Sequence, residues 1–209
     1  MRERDEMAAR FAREYLDGLC RVIAMVDKRR IAELVFELQR AYDEDRQIFI
    51  IGNGGSAGTA SHMACDLAKT VLGRKPDKSR RRFRVLSMTD NVPLITALAN
   101  DLGYEHIFTE QLILYARESD LLLVITGSGN SPNIVKAVKL ARKMGLRTAG
   151  LLGFDGGKVM SLLDAVVLIP DFSYGYVEDL HVMIDHLITS YFSLQFNHSL
   201  RERRESVCK

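Results

Sequence analysis

The 209-residue sequence contains no tryptophan, four prolines and three cysteines, and its net charge is only +2. Its cysteines, Cys20, Cys65 and Cys208, are odd in number and form no Cys-x-x-Cys pair, which favours a reducing, cytosolic compartment. The small net charge gives no reason to expect nucleic acid as the main partner. The sequence lacks a run of about 18 apolar residues, so we expect no membrane span. Met1–Arg10 is charged and lacks the apolar core of a signal peptide.

Two signatures of nucleotide binding are also missing. The first glycine-rich run, residues 52–57 (Gly-Asn-Gly-Gly-Ser-Ala), lacks the third glycine of the dinucleotide fingerprint. Nowhere does Gly-Lys-Ser/Thr follow an apolar run of strand length, which excludes a Walker loop. These absences favour a small phosphorylated ligand over a nucleotide.

Hydrophobic residues make up 47% of the chain, enough to build a sizeable core. Five short apolar runs alternate with stretches of helical periodicity, the pattern of a parallel sheet with helices on both faces. The predicted strands are Ile48–Ile51, Val85–Met88, Leu121–Ile125, Thr148–Leu152 and Ala165–Ile169. The predicted helices between them are Ala57–Val71, Val92–Asp101, His106–Ala116, Asn133–Met144 and Gly157–Leu163.

Helices are predicted at both ends of the chain as well. Residues 11–45 read as two helices joined near Asp27–Arg29, and a long helix is expected from about Tyr176 to Phe196. The sequence therefore predicts an α/β fold: a five-stranded parallel sheet of flavodoxin-like order 2-1-3-4-5, flanked by helices, with an N-terminal helical extension. We expect residues 1–198 to form one domain and residues 199–209 to form a charged tail.

Two unusual loops follow the first and third predicted strands. In the order 2-1-3-4-5 the chain reverses direction between these strands, and ligands bind at their carboxyl ends. Both loops lead into helices, so each offers free backbone N–H groups and a positive helix end to a phosphate. One such loop is equally compatible with a tight turn and a helix cap, whereas two at the switch point favour phosphate binding. Hydroxyl donors come from Ser56, Thr126, Ser128 and Ser131.

The segments Gly52–Ala57 and Ser128–Ser131 resemble the sugar isomerase (SIS) domain, and most closely its phosphoheptose isomerase branch. The resemblance extends from the N-terminal helices to Phe192, and further matching positions are Thr89-Asp90, Asn100-Asp101, Asp155-Gly156-Gly157, Glu178, His181 and His186. It implies a homotetramer with active sites built between subunits. It also implies ketose–aldose isomerisation of a phosphorylated sugar, sedoheptulose 7-phosphate or a related compound, often aided by zinc.

The resemblance also implies the residues of the site. The implied zinc ligands are His62, Asp66, Glu178 and His186. The implied substrate- and phosphate-binding residues are Asn53, Gly54, Gly55, Ser56, Asp90, Thr126, Gly127, Ser128 and Ser131. Five positions depart from the family pattern: Asp66 replaces Glu, Glu178 replaces Gln, Thr126-Gly127 stands where Ser-Thr is usual, and Thr70 stands where an Arg is common.

The chemistry expected of this set is proton transfer between adjacent carbons through an enediol. His62 and Asp66 are four residues apart and share one helix face. Asp66 is the predicted base and His186 its partner acid/base, while a zinc ion would polarise the sugar carbonyl. Because Asp66 is one methylene shorter than Glu, either the site is rearranged or the base role moves to His186. The alternative is that the His–Asp pair is an ordinary surface interaction and His186 a packed core residue.

Two further questions stay open at the level of sequence. The chain could instead be a non-catalytic SIS protein that binds a sugar phosphate or a protein partner, although Asp66 retains a carboxylate. The basic segment Arg74–Arg84 is either a solvated loop, an anion-attracting rim or a nucleic-acid contact.

Overall fold

Five parallel strands form a single sheet in the computed structural model, which describes residues 2–73 and 80–207, and the side chains of residues 4–73 and 80–196. The strands are β1 (Gln47–Ile51), β2 (Arg84–Ser87), β3 (Leu121–Thr126), β4 (Arg147–Gly153) and β5 (Ala165–Ile169). Their order is β2-β1-β3-β4-β5, which confirms the predicted topology. Each strand lies within one residue of its predicted bounds, because short β-branched runs between glycine-containing turns are unambiguous.

The helices of the described residues flank this sheet. They are α1 (Arg2–Met25), α2 (Lys28–Asp43), α3 (Gly55–Ala68), α4 (Val92–Leu102), α5 (Thr109–Tyr115), α6 (Pro132–Lys143) and α7 (Tyr174–Val207). Three 3₁₀ helices span Thr70–Leu72, Tyr104–His106 and Gly157–Leu162. In the part of the chain that the structure describes, no helix combines the length and apolar character needed to cross a membrane.

Several helical segments differ from the sequence prediction. The predicted helix Ala57–Val71 is α3 followed by the 3₁₀ helix Thr70–Leu72, and the predicted helix His106–Ala116 is the shorter α5. The first helix begins at Arg2 rather than near residue 11, because the charged Arg- and Glu-rich segment consists of good helix formers. The predicted helix Gly157–Leu163 is a 3₁₀ helix, the usual geometry of so short a connector. The last helix runs to Val207, into the predicted charged tail over residues 199–209, whose boundary stays a prediction.

Helices bury both faces of the sheet. All six residues of β3 are buried, as expected for the central strand of a parallel sheet. One core lies against α2, α3 and α7, and the other against α5 and α6. The extension α1 is attached to α7 through Tyr15, whose hydroxyl donates to Asp179 Oδ2 at 2.7 Å. This hydrogen bond is the main reason why the pKa of Tyr15 is raised to about 12.

Part of the basic segment Arg74–Arg84 has a structural role. Residues 74–79 lie outside the described residues, so the choice between a solvated loop, an anion-attracting rim and a nucleic-acid contact is not tested there. Arg81 Nη1 donates to the carbonyl oxygens of Tyr42 and Asp43 at 3.1 and 2.6 Å. Because a helix C-terminus leaves carbonyl groups without partners, Arg81 stabilises the end of α2.

Candidate active site at the carboxyl edge of the sheet

The loop after β1 leaves the start of α3 uncapped. A Cβ atom at Gly52 would lie 2.5 Å from the Ser56 carbonyl oxygen, so this tight turn requires glycine. Gly54 occupies the N-cap position with φ 56° and supplies no side-chain hydrogen bond. The first N–H groups of α3 therefore have no side-chain acceptor from the cap, and they face the sheet edge where an anion would bind.

The loop after β3 prepares a second helix N-terminus. Thr126 Oγ1 accepts a hydrogen bond from the Gly129 N–H at 3.3 Å, and Ser128 Oγ accepts one from the Asn130 N–H at 3.3 Å. Ser131 is the N-cap residue of α6, yet its hydroxyl makes no capping hydrogen bond. Of the hydroxyl groups that were predicted to bind phosphate here, that of Ser131 is the one without a bond to its own loop.

A buried amide pair connects the two loops. Asn53 Nδ2 donates to Asn133 Oδ1 at 3.0 Å, and Asn133 Nδ2 donates to Asn53 Oδ1 at 2.8 Å. The Tyr104 hydroxyl donates to the same Asn53 oxygen at 3.0 Å. Asn53 was predicted to bind substrate, and in the structure its side chain holds the two loops in register. Sequence reasoning missed Tyr104 and Asn133, because no spacing rule joins residues so far apart.

Asp90, another predicted substrate residue, lies beside α3 at the end of β2. Its Oδ1 accepts hydrogen bonds from the Ser61 hydroxyl and from Thr89 Oγ1. Ser61 immediately precedes His62 on α3, so the loop after β2 is fixed next to the helix that carries the predicted ligands. Asp90 itself is exposed, which leaves its second carboxylate oxygen facing solvent.

Four side chains from α3 and α7 converge on one point. Ligand atoms of His62, Asp66, Asp185 and His186 all lie within 4.8 Å of one another. The Nε2 atoms of His62 and His186 are 2.9 Å apart, and His62 Nε2 lies 3.8 Å from both Asp66 Oδ2 and Asp185 Oδ2. The structure therefore brings together three of the four predicted zinc ligands and adds Asp185.

The two carboxylates of the cluster are buried, and its two imidazoles are exposed. Asp185 is 0% exposed and Asp66 is 8% exposed, whereas His62 and His186 reach the surface. Burial raises the pKa of Asp185 to about 7, the negative charge of Asp66 adds to that rise, and His62 opposes it. Among the described residues, Asp185 Oδ2 has no hydrogen-bond partner.

Glu178 lies outside this cluster. A Cβ atom at Gly55 would lie 2.6 Å from Glu178 Oε2, so the carboxylate rests against the N-terminus of α3. Gly55 precedes His62 by about two helical turns, or about 10 Å. A negative side chain is favourable at that helix end. The structure thus separates Glu178 from the three ligands with which it was grouped.

His181 is the remaining matched histidine, and it is a core residue. It is 1% exposed on the face of α7 that packs against β4. Burial lowers the pKa of His181 to about 4, and the nearby Leu152 backbone offsets this effect only in part. The ring is therefore neutral at pH 7.

The cluster fits a tetrahedral divalent metal. Ligand atoms at zinc–nitrogen and zinc–oxygen distances of about 2.1 Å lie about 3.4 Å apart around a tetrahedral ion. The distances of 2.9 and 3.8 Å from His62 Nε2 to its neighbours lie on either side of that value. Two imidazoles and two carboxylates are also a donor set that zinc accepts.

Comparison with known proteins identifies the family to which this chain is similar. The SIS domain family model matches residues 11–153. The chain is 35% identical over 158 residues to a phosphoheptose isomerase from Pelobacter propionicus, covering 76% of this chain and 81% of that protein. A phosphoheptose isomerase from Fusobacterium nucleatum is 36% identical over 162 residues, covering 78% of this chain and 80% of the relative. The solved phosphoheptose isomerase from Neisseria gonorrhoeae superposes with a TM-score of 0.78 at 25% identity, covering 90% and 97% of the two chains.

Proposed function

The chain belongs to the SIS-domain family as a relative of the phosphoheptose isomerases, and we propose that it interconverts sedoheptulose 7-phosphate and D-glycero-D-manno-heptose 7-phosphate. One observation carries this proposal: α3 carries part of an acid–imidazole cluster about two to three turns from its own N-terminus, and the N-termini of α3 and α6 both lack a side-chain cap. A phosphorylated sugar can therefore be held at one end while proton transfer takes place at the other.

The phosphate is proposed to bind between the N-termini of α3 and α6. Both ends offer backbone N–H groups and a positive dipole, which attract an anion without a lysine or arginine. The residues proposed to contact the phosphate or the sugar remain those of the sequence prediction: Asn53, Gly54, Gly55, Ser56, Asp90, Thr126, Gly127, Ser128 and Ser131.

Asp66 is proposed to carry the proton between the two sugar carbons. It is buried beside two imidazoles, so its carboxylate is held in place about three helical turns from the phosphate-binding end of α3. In the proposed reaction Asp66 removes a proton from C1 of the ketose and returns it to C2 of the enediol. His186 is proposed to exchange the proton between the two sugar oxygens, since an imidazole ring has one nitrogen that can donate a proton and one that can accept it.

A zinc ion is the proposed cofactor of this site. His62, Asp66 and His186 would hold it, and the resemblance adds Glu178 as a predicted fourth ligand. When bound, zinc would polarise the sugar carbonyl and so stabilise the negative charge that develops on oxygen.

The protein is further proposed to act as a cytoplasmic homotetramer. Two of its cysteines, Cys20 and Cys65, are exposed and unpaired, which suits a reducing compartment. Large apolar side chains are exposed on α1 and α5, among them Phe11 at 67% and Leu114 at 63%. Such surface is usually covered by another subunit.

The reaction is tested by incubating the purified protein with sedoheptulose 7-phosphate and following the aldose by NMR. We expect turnover by the parent and a loss of about 100-fold or more in Asp66→Asn, because general-base catalysis contributes at least that factor. The control is Glu33→Gln, a change at an exposed side chain of α2, which should leave turnover unchanged.

Two other results would change the conclusion in different ways. Turnover of another ketose phosphate but not of this one would overturn the substrate and keep the reaction class. Calorimetric binding of sugar phosphates without any turnover would instead support the non-catalytic alternative.

A further inference from the structure

The carboxylate of Asp185 lies in an environment that is costly without a cation. Its side chain is fully buried, and Oδ2 has no hydrogen-bond partner among the described residues. The other oxygen, Oδ1, accepts a long hydrogen bond of 3.4 Å from Thr189 Oγ1. Asp66 adds a second buried carboxylate to the same cluster. Two neighbouring buried carboxylates repel each other, and either a proton or a cation between them relieves the repulsion.

We propose that Asp185, and not Glu178, completes a divalent metal site with His62, Asp66 and His186. This inference rests on the metal centre of the proposed function and changes its ligand set. Asp185 Oδ2 lies 3.8 Å from His62 Nε2, the same separation as that of Asp66 Oδ2 from this nitrogen. The two carboxylates therefore stand in equivalent positions beside His62, with the His186 nitrogen 2.9 Å away.

The position of Glu178 supports this choice. Its carboxylate rests against Gly55, where the N-terminus of α3 attracts negative charge. Reaching the cluster would require Glu178 to leave that position and extend about two helical turns along α3. Asp185 needs no such movement, because its free oxygen already lies among the other three ligand atoms.

The two carboxylates also balance the charge of the ion. When both are ionised, Asp66 and Asp185 together supply two negative charges, which match the charge of a divalent cation. Two carboxylate oxygens in the ligand set suit hard divalent ions as well as zinc. We therefore expect both Mn²⁺ and Zn²⁺ to bind at this site, and Zn²⁺ to bind more tightly.

Isothermal titration calorimetry of the full-length, chelator-treated protein with zinc chloride tests the ligand set. We expect one zinc per chain in the parent. Zinc affinity should fall by about 100-fold or more in Asp185→Asn, since loss of even an outer hydrogen-bond partner of a ligand costs up to that factor. Glu178→Gln, the matched control, should bind zinc within about 3-fold of the parent. His186→Ala should lose binding as Asp185→Asn does.

Thermal unfolding of the metal-free proteins separates ligand loss from misfolding. Asp185→Asn should melt at the same temperature as the parent or higher, because it removes a buried carboxylate whose Oδ2 has no hydrogen-bond partner among the described residues. Unchanged zinc affinity in Asp185→Asn, or a loss in Glu178→Gln as large as that in His186→Ala, would overturn the inference. The isomerase assay tests the proposed function separately. If zinc binding depends on Asp185 but no ketose phosphate is turned over, the proposed function is overturned and this inference still holds.

Discussion

Burial of His181 makes the fold sensitive to acid. Its pKa is about 4 in the folded protein, whereas an unfolded histidine takes up its proton near pH 6.5. The contribution of His181 to the free energy of unfolding is complete above pH 6.5. It falls by roughly 3 kcal/mol as the pH is lowered from 6.5 to 4. We expect His181→Leu to lose that much less stability over this range, measured by urea unfolding at pH 7 and pH 4.5.

The control for this experiment is Ile188→Val, because Ile188 is buried on the same helix and carries no ionisable group. That variant should show the pH dependence of the parent. An unchanged slope in His181→Leu would mean that His181 becomes protonated without unfolding the chain.

The site could be predicted from sequence where residues follow a spacing rule. His62 and Asp66 share a helix face by their spacing, and the resemblance placed His186 beside them. Asp185 was missed because neighbouring residues on a helix point about 100° apart, which hides a shared ligand position. A signal was present: Asp185 interrupts the apolar stripe of α7 between Ile184 and Ile188. The position of Glu178 had no such signal, since it depends on how α3 and α7 pack.

At the scale of elements, the turn after β3 is locked against the turn after β4. Gly129 has φ 62°, and a Cβ atom there would lie 2.0 Å from the Gly156 carbonyl oxygen. We expect Gly129→Ala to destabilise the protein by about 2 kcal/mol or more, through strain at positive φ and displacement of a backbone atom. Comparison of urea midpoints measures this loss.

Gly58→Ala is the matched change within α3. A Cβ atom at Gly58 meets nothing within 4 Å, so the variant should gain about 0.5–1 kcal/mol of stability from the better helix propensity of alanine. Equal effects of the two substitutions would contradict the idea that close approach, and not glycine content, determines the shape of the second loop.

The strands were easier to predict than the helix ends. Each strand is a short apolar run that ends at a turn, so hydrophobicity alone locates it. Helix ends depend on capping and on neighbouring elements. The segment before residue 11 has too few apolar residues for their spacing to predict a helix, yet α1 includes it. The short 3₁₀ helix Gly157–Leu162 shows the same limit, because periodicity does not separate it from an α-helix.

At the scale of the whole molecule, the exposed apolar side chains of α1 predict self-association. Phe11, Leu16 and Met25 are 67, 59 and 59% exposed, on a helix that extends beyond the sheet. Light scattering at micromolar concentration should give the mass of a tetramer. The double variant Phe11→Ser with Leu16→Ser should give a smaller species, because it removes apolar contact area from the proposed interface. A monomeric parent would contradict this account of the exposed surface.

The central claim is that this chain moves a proton between the first two carbons of a phosphorylated ketose. NMR of sedoheptulose 7-phosphate incubated with the zinc-loaded parent in deuterium oxide tests it most directly. The account predicts formation of the aldose with deuterium at C2, because the proton carried by Asp66 exchanges with solvent in the enediol stage. It predicts neither product nor exchange at a comparable rate in Asp66→Asn. Binding of the sugar phosphate with no aldose and no deuterium at C1 or C2 in the parent would contradict the claim.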